Sequence, residues 1–366
     1  MRDKNLNSKL KNNFGAKAND SRIYIFLVIV FVIIAAIYPA FFTSGSIKAL
    51  VSTSLIYIIV GVGFTYVMIG GNFDLSIGSI INAGAVVTMG EFNRFYKIFG
   101  GVEGGDSALI KAWILAFACA IGVGLLIGFV NGFLVAKVKV HSFIVTIGML
   151  TTVAGFVYTY SHGNSISANT YSLVDVIDKS FVKIPYLEVF TPRFVIAIIL
   201  VVVFEFILLK TKWGYDLFMV GSNKESSFFA GINTVKKVWI TFIISGFTAA
   251  LGGSLFAVSM NAAVPNFGER GIAPLMFVLA ATIIGGTAML GGSGSVVKTA
   301  VATIVIQSIF SFLISMGMGF DAQVLAAGVV LGAVVFFESF SVYRQGLKEG
   351  ERPALVLEAE QLRLKK

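Results

Sequence analysis

The sequence predicts an all-α integral membrane protein of about ten transmembrane helices, with both termini in the cytoplasm. Three observations predict it. Hydrophobic residues make up 57% of the 366, charged residues only 13%, and the mean hydropathy is +0.88. Soluble domains carry about 25% charged residues, and a soluble core of this size has too little interior to hide so much apolar surface. Apolar runs of spanning length recur along the chain, and Lys and Arg collect in the segments that fall on one side when those runs are counted off.

A helix rises 1.5 Å per residue, so about 20 apolar residues cross a hydrocarbon layer about 30 Å thick. The first run, 23–42, follows a polar tail at 1–22 and is long enough to be a retained helix rather than a signal peptide. The second, 50–69, ends at Gly70-Gly71. The third, 75–92, is rich in Gly, Ala and Ser. The fourth and fifth, 113–135 and 143–160, flank a short turn holding Lys137 and Lys139. The sixth, 194–209, is followed by the longest polar loop, 211–237, and then by the seventh at 238–260. The eighth, 273–290, again adjoins a glycine-rich turn, and 296–316 and 324–340 complete the set. The predicted organisation is a cytoplasmic tail at 1–22, a membrane domain at 23–341 and a second cytoplasmic tail at 342–366.

Orientation follows from the cations. The first tail carries Arg2, Lys4, Lys9, Lys11, Lys17 and Arg22 against Asp3 and Asp20. With the N-terminus inside, parity puts Lys137, Lys139, the lysines of 210–237 and the basic C-terminal tail inside as well. The outer loops then hold Glu103, Asp106, Asp175, Asp178 and Glu188, together with some cations such as Arg94, Lys97 and Arg193.

Several function classes are excluded. The net charge of +9 is spread over separate segments, as topology determinants beside anionic lipid are, so no nucleic-acid partner is expected. One cysteine, Cys119, permits no disulfide within the chain, and two histidines without a Cys/His cluster give no metal site. No phosphate-binding loop is present, so a different chain must hydrolyse any ATP; no cofactor and no catalytic residue are expected. Glu205, Asp321 and Glu338 fall near span ends, where snorkelling to the interface accounts for them, and this argues against a proton-driven carrier.

Two segments resemble each other. Gly70-Gly71-Asn72-Phe73-Asp74-Leu75-Ser76-Ile77-Gly78-Ser79 joins the second and third spans. The string from Gly285 and Gly286 through Leu290, Gly291, Gly292 and Ser293 to Ser295 joins the eighth and ninth. Both read GG-x-x-x-L followed closely by G-S, which suggests an internal repeat of the kind transporters use. Ordinary helix reversals account for the same glycines. Asp74 is placed to meet the free N–H groups at the start of the third helix.

The loop 211–237 contains apolar residues with no reason to sit in water. Asn223 is an N-cap for a short helix from 224 to 230, which Gly231 closes. Phe228, Phe229 and Ile232 then form an apolar surface on the cytosolic side, a sign of a partner site unless the loop packs back on its own bundle. Among the polar residues of the spans, Asn82, Asn131, Thr146, Thr282 and Gln307 are candidates for lining a solute path; such groups also hydrogen-bond between helices.

A family likeness emerges from these strings together. Gly71 through Ser79 resembles the G-x-x-D-L-S-x-G-S segment of ribose- and galactose-type permeases of ATP-binding-cassette importers. Asn131-Gly132-Phe133-Leu134-Val135-Ala136-Lys137, running into Phe143-Ile144-Val145-Thr146, resembles their next signature. Gly221-Ser222-Asn223 with Ala230-Gly231-Ile232-Asn233 is similar to their ATPase-coupling loop, and Gly285-Gly286 with Gly291 through Ser295 to the fourth. The likeness implies an importer-permease fold in a bacterial cytoplasmic membrane that moves a monosaccharide by alternating access. It implies a paired permease, two cytoplasmic ATPase subunits docked at Gly221, Asn223, Phe228, Phe229, Gly231, Ile232 and Asn233, and an extracytoplasmic solute-binding protein. Gly71, Asp74, Ser76, Gly78, Gly285, Gly286 and Gly292 would be its structural motif. The chain departs from the family at 226–229, where two alanines are usual, and at 269–274. A permease of the same fold for nucleosides or another small polar solute, and a carrier that works alone, remain the other readings.

Overall fold

In a computed structural model the protein is mostly helical. The structure describes residues 22–168, 177–266 and 268–319, with isolated helical positions between 325 and 340. The tails and, apart from those isolated positions, the tenth predicted span lie outside the described residues, as do Asp175, Asp321, Glu338 and the side chains of Glu269 and Arg270.

Helix α1 (Arg22–Ile37) ends before Pro39, which disfavours helical geometry in the residue it follows and opens a short 3₁₀ turn, Pro39–Phe42. Thr43 then caps α2 (Ser44–Ile69), its hydroxyl accepting the Ser46 N–H at 3.3 Å. Next come α3 (Ile77–Ile98) and α4 (Gly105–Gly132), the latter widening into a π turn, Phe133–Lys137. After α5 (Ser142–Ser161) and α6 (Pro192–Lys210), two short helices, α7 (Lys212–Ser222) and α8 (Lys224–Phe229), precede the long α9 (Thr234–Met260). Helices α10 (Gly268–Ile284) and α11 (Val296–Ser315) follow.

Among the described residues, six stretches are long and apolar enough to cross a membrane: Ser44–Ile69, Gly105–Lys137, Ser142–Ser161, Pro192–Lys210, Thr234–Met260 and Val296–Ser315. Ile23–Ile37 and Pro274–Ile284 are apolar but shorter. The predicted third span, 75–92, is extended to Ile98 by a charged turn. Arg94 pairs with Glu91 at 3.5 Å, and Tyr160 of α5 donates to Glu91 at 2.9 Å, so residues expected in a loop stay helical. The predicted eighth span overruns its helix, because Gly285 and Gly286 end α10 well before Leu290.

Helix α9 is the hub, packed against α2, α3 and α4. It comes close because it presents small residues: a Cβ added at Gly253 would lie 2.9 Å from Ile81 Cα of α3. Helices α1, α4, α5 and α6 turn apolar side chains outward, among them Val28, Leu126, Ile144 and Val202, as lipid contact requires. At one end of the bundle a two-residue antiparallel pair, β1 (Ile166–Ser167) with β2 (Ala262–Ala263), is tied to α3 by Asn93, which donates to the Ser167 carbonyl at 2.8 Å. The buried Arg193 pairs with Asp178. At the other end lie residues 70–76, 133–142, 211–233 and 285–295, the segments that the charge pattern assigns to one side.

Candidate functional site

Both glycine pairs end their helices in the same way. After α2, the Gly71 N–H donates to Met68 and the Asn72 N–H to Val67, at 2.9 and 3.1 Å. After α10, the Gly286 N–H donates to Ile283 and the Thr287 N–H to Thr282, at 2.8 and 3.2 Å. This closure needs a left-handed residue, and Gly71 (φ 73°) and Gly286 (φ 83°) supply it. The helices that follow also begin alike. The Ser76 hydroxyl and N–H donate to Asp74 Oδ1; the Ser295 hydroxyl donates to Glu205 Oε1 and the Val296 N–H to Glu205 Oε2, both at 2.7 Å. Glu205 therefore does not snorkel to water as the sequence suggested. It sits at the N-terminus of α11, where free N–H groups and the helix dipole favour a carboxylate.

The two loops converge on the end of α7. The Gly292 N–H donates to the Ile69 carbonyl at 2.9 Å. A Cβ added at Gly291 would lie 2.6 Å from Gly71 Cα and 3.0 Å from the Gly221 oxygen, and one added at Gly221 would lie 2.5 Å from the Gly292 nitrogen. Three main chains thus touch with no side chain between them, which only glycine permits.

The predicted loop 211–237 is a hairpin of two helices. Its first, α7, was missed because Gly214 and Gly221 interrupt the pattern; Thr211 caps it by accepting the Gly214 N–H at 3.3 Å. The second follows the local prediction. Asn223 Oδ1 accepts the Ser226 N–H at 2.8 Å, and Gly231 (φ 80°) closes α8. Asn233 caps α9 in turn, its Oδ1 accepting the Lys236 N–H at 2.9 Å. Phe228 and Phe229 stand 66% and 80% exposed, their rings 5.8 Å apart, whereas Ile232 is half-buried against the apolar cluster that includes Val67, Val135 and Val238. Two of the three residues predicted for the apolar surface are therefore exposed, and Tyr215 and Met219 of α7 are exposed as well. The hairpin is clamped at its base: Lys237 of α9 pairs with Asp216 at 2.8 Å, and Trp213 stacks on Tyr66 of α2 at 5.7 Å.

Beside the junction, buried Asp74 fastens three helices. Its Oδ2 accepts the Ser245 hydroxyl from α9 at 2.8 Å, and Asn131 of α4 donates to the Ser76 hydroxyl at 2.9 Å. Below it opens a cavity of about 590 Å³ lined by Gly71, Asn72, Phe73, Lys139, His141, Ser142, Lys224, Met289 and Leu290, among others. Both glycine loops, the turn after α4 and the hairpin contribute to its wall.

A family model described as "Branched-chain amino acid transport system / permease component" matches residues 46–338, which take in both glycine loops and the hairpin. The chain belongs to this permease family. Among similar proteins, the permease is 26% identical to a ribose import permease protein of Haemophilus influenzae over 88% of this chain and 93% of the relative. It is 26% identical to a D-allose transport system permease protein of Escherichia coli over 85% and 89%. It is 30% identical to a fructose import permease protein of Rhizobium meliloti over 77% and 74%. No solved structure matches.

In the permease the five predicted path residues are all buried, and none of them lines the cavity beside the junction. Asn82, Thr146, Thr282 and Gln307 lie on α3, α5, α10 and α11. The Thr146 and Thr282 hydroxyls donate to carbonyls of their own helices, Ser142 and Val278, each at 2.8 Å. The Asn131 side-chain amide donates to the Ser76 hydroxyl. Gly78 is buried in the first turn of α3. Sequence reasoning missed Glu205 as a partner of Ser295 and Tyr66 as a partner of Trp213; the aromatic pair carries no local signal.

Proposed function

We propose that this chain is the membrane-spanning subunit of an ATP-driven importer that moves a monosaccharide across a bacterial cytoplasmic membrane by alternating access. Two permease copies would work with two cytoplasmic ATPase subunits and an extracytoplasmic solute-binding protein, and the chain itself would do no covalent chemistry. In this reading the full chain makes about ten crossings with both termini inside. The matching closures at Gly71 and Gly286 support an internal repeat. The names of the relatives support a sugar as cargo.

One observation supports the division of labour best. The hairpin that presents Phe228 and Phe229 to the outside is seated, main chain on main chain, against both glycine loops. A partner that grips the two rings and moves the hairpin would move both loops and the cavity between them. The cavity lies in the size range of small-molecule sites, and we read it as part of the inner exit.

Purification from the native membrane tests the reading. The importer should bring an ATPase with it, and uptake by reconstituted vesicles should need ATP and that subunit. Uptake by the permease alone would establish a self-sufficient carrier instead. Binding of ribose, allose, fructose, nucleosides and leucine to the co-purified solute-binding protein would then fix the cargo.

A further inference from the structure

A second cavity, of about 640 Å³, lies on the outside of the bundle between α4 and α9. Its floor is apolar: Phe129, Val235, Trp239, Ile240 and Ile243. Its rim carries Lys137 and Lys236, both exposed, and neither has a carboxylate partner among the described residues. From Lys236 to Ile243 is seven residues along α9, so the apolar trough descends about 10 Å from the lysines.

The local geometry builds this arrangement. The π turn at Phe133–Lys137 is closed by the Val138 N–H donating to the Phe133 carbonyl at 3.1 Å, and the Lys137 ammonium lies 5.6 Å from the Phe133 ring centroid. Single π turns inside helices often mark functional positions. Trp239 packs against Phe129 and Phe133, at 4.9 and 5.7 Å, and its indole N–H donates to the Phe129 carbonyl at 3.0 Å. Across the trough Lys236 stands in the first turn of α9, where backbone N–H groups add to the positive field.

We infer that this groove is a binding site for one anionic phospholipid, with its phosphate between Lys137 and Lys236 and an acyl chain along Trp239, Ile240 and Ile243. The charge decides the occupant. A trough open to hydrocarbon accepts any acyl chain, but two ammonium groups with no carboxylate partner among the described residues, at its interfacial end, select a negative headgroup. Trp239 marks the same depth, since its amphipathic ring favours the boundary between headgroups and tails. The inference needs only that the chain spans a membrane; it is independent of the ATPase partner.

Native mass spectrometry and thermal unfolding of the full chain in detergent test it. Phosphatidylglycerol, phosphatidylcholine and soluble glycerol phosphate serve as probes. One phosphatidylglycerol should stay bound per chain and raise the unfolding temperature, while the other two probes should do neither. The double variant Lys137→Gln, Lys236→Gln should weaken phosphatidylglycerol binding about 10-fold or more. The control Lys139→Gln, Lys224→Gln removes two exposed lysines that line the first cavity instead and should change it less than about 2-fold. Equal binding of phosphatidylcholine, equal loss in both double variants, or capture of a second chain at this groove would overturn the assignment.

Discussion

Ser295 donates a 2.7 Å hydrogen bond to Glu205, so the start of α11 is held by a side chain from α6. The Val296 N–H donates to the other oxygen of the same carboxylate. Glu205→Ala should therefore lower stability by about 2–3 kcal/mol, because two donors lose a charged acceptor together. Glu205→Gln keeps one acceptor and should cost about half as much. Unfolding temperature in detergent reads both; an unchanged value for the alanine variant would rule out the anchoring role.

Asp74 is the counterpart at the start of α3. Asp74→Asn keeps one acceptor and should cost about 1–1.5 kcal/mol, and Ser245→Ala about 1 kcal/mol. The pair should couple by at least about 0.5 kcal/mol in a double-mutant cycle, since Ser245 bonds Asp74 directly. Strictly additive values would separate them.

The glycine junction predicts a sharp positional contrast. Gly221→Ala drives a methyl group into the Ile69 and Gly292 backbones. Gly231→Ala meets open space and bears only the cost of its left-handed backbone, about 1 kcal/mol. In vesicles containing the assembled importer, the first variant should lose solute-stimulated ATP hydrolysis and the second should largely keep it. Equal behaviour would show that the contact does not transmit motion.

The exposed pair Phe228 and Phe229 predicts a loss of assembly without a loss of fold. Changing both to alanine should leave the stability of the isolated permease within about 0.5 kcal/mol of the parent, as exposed positions do. The same change should weaken capture of the ATPase by about 30-fold or more, as removal of an interface anchor does. Undiminished capture would place the docking surface elsewhere.

How much of this was legible in the sequence depends on reach. Asn223 and Gly231 bracket α8 as expected, because capping involves residues three or four apart. The glycines before Asp74 and after Ile284 were visible as reversals for the same reason. Glu205 was misread because its partner is 90 positions away, and a carboxylate near a span end looks alike whether it reaches water or another helix. Ile232 was assigned to the surface because α8 is too short to show which face it buries. Gly221 was singled out as a member of the coupling loop, while its contact with Gly292 depends on how three loops fold together.

A side chain between two main chains cushions a small displacement by changing rotamer. Where the hairpin meets the two loops, Gly71, Gly221, Gly291 and Gly292 bring main chain close to main chain with no Cβ of their own in the way. A push on α7 would meet the backbones that lead into α3 and α11 directly, with no cushion of side chains to cross, as meshed teeth do.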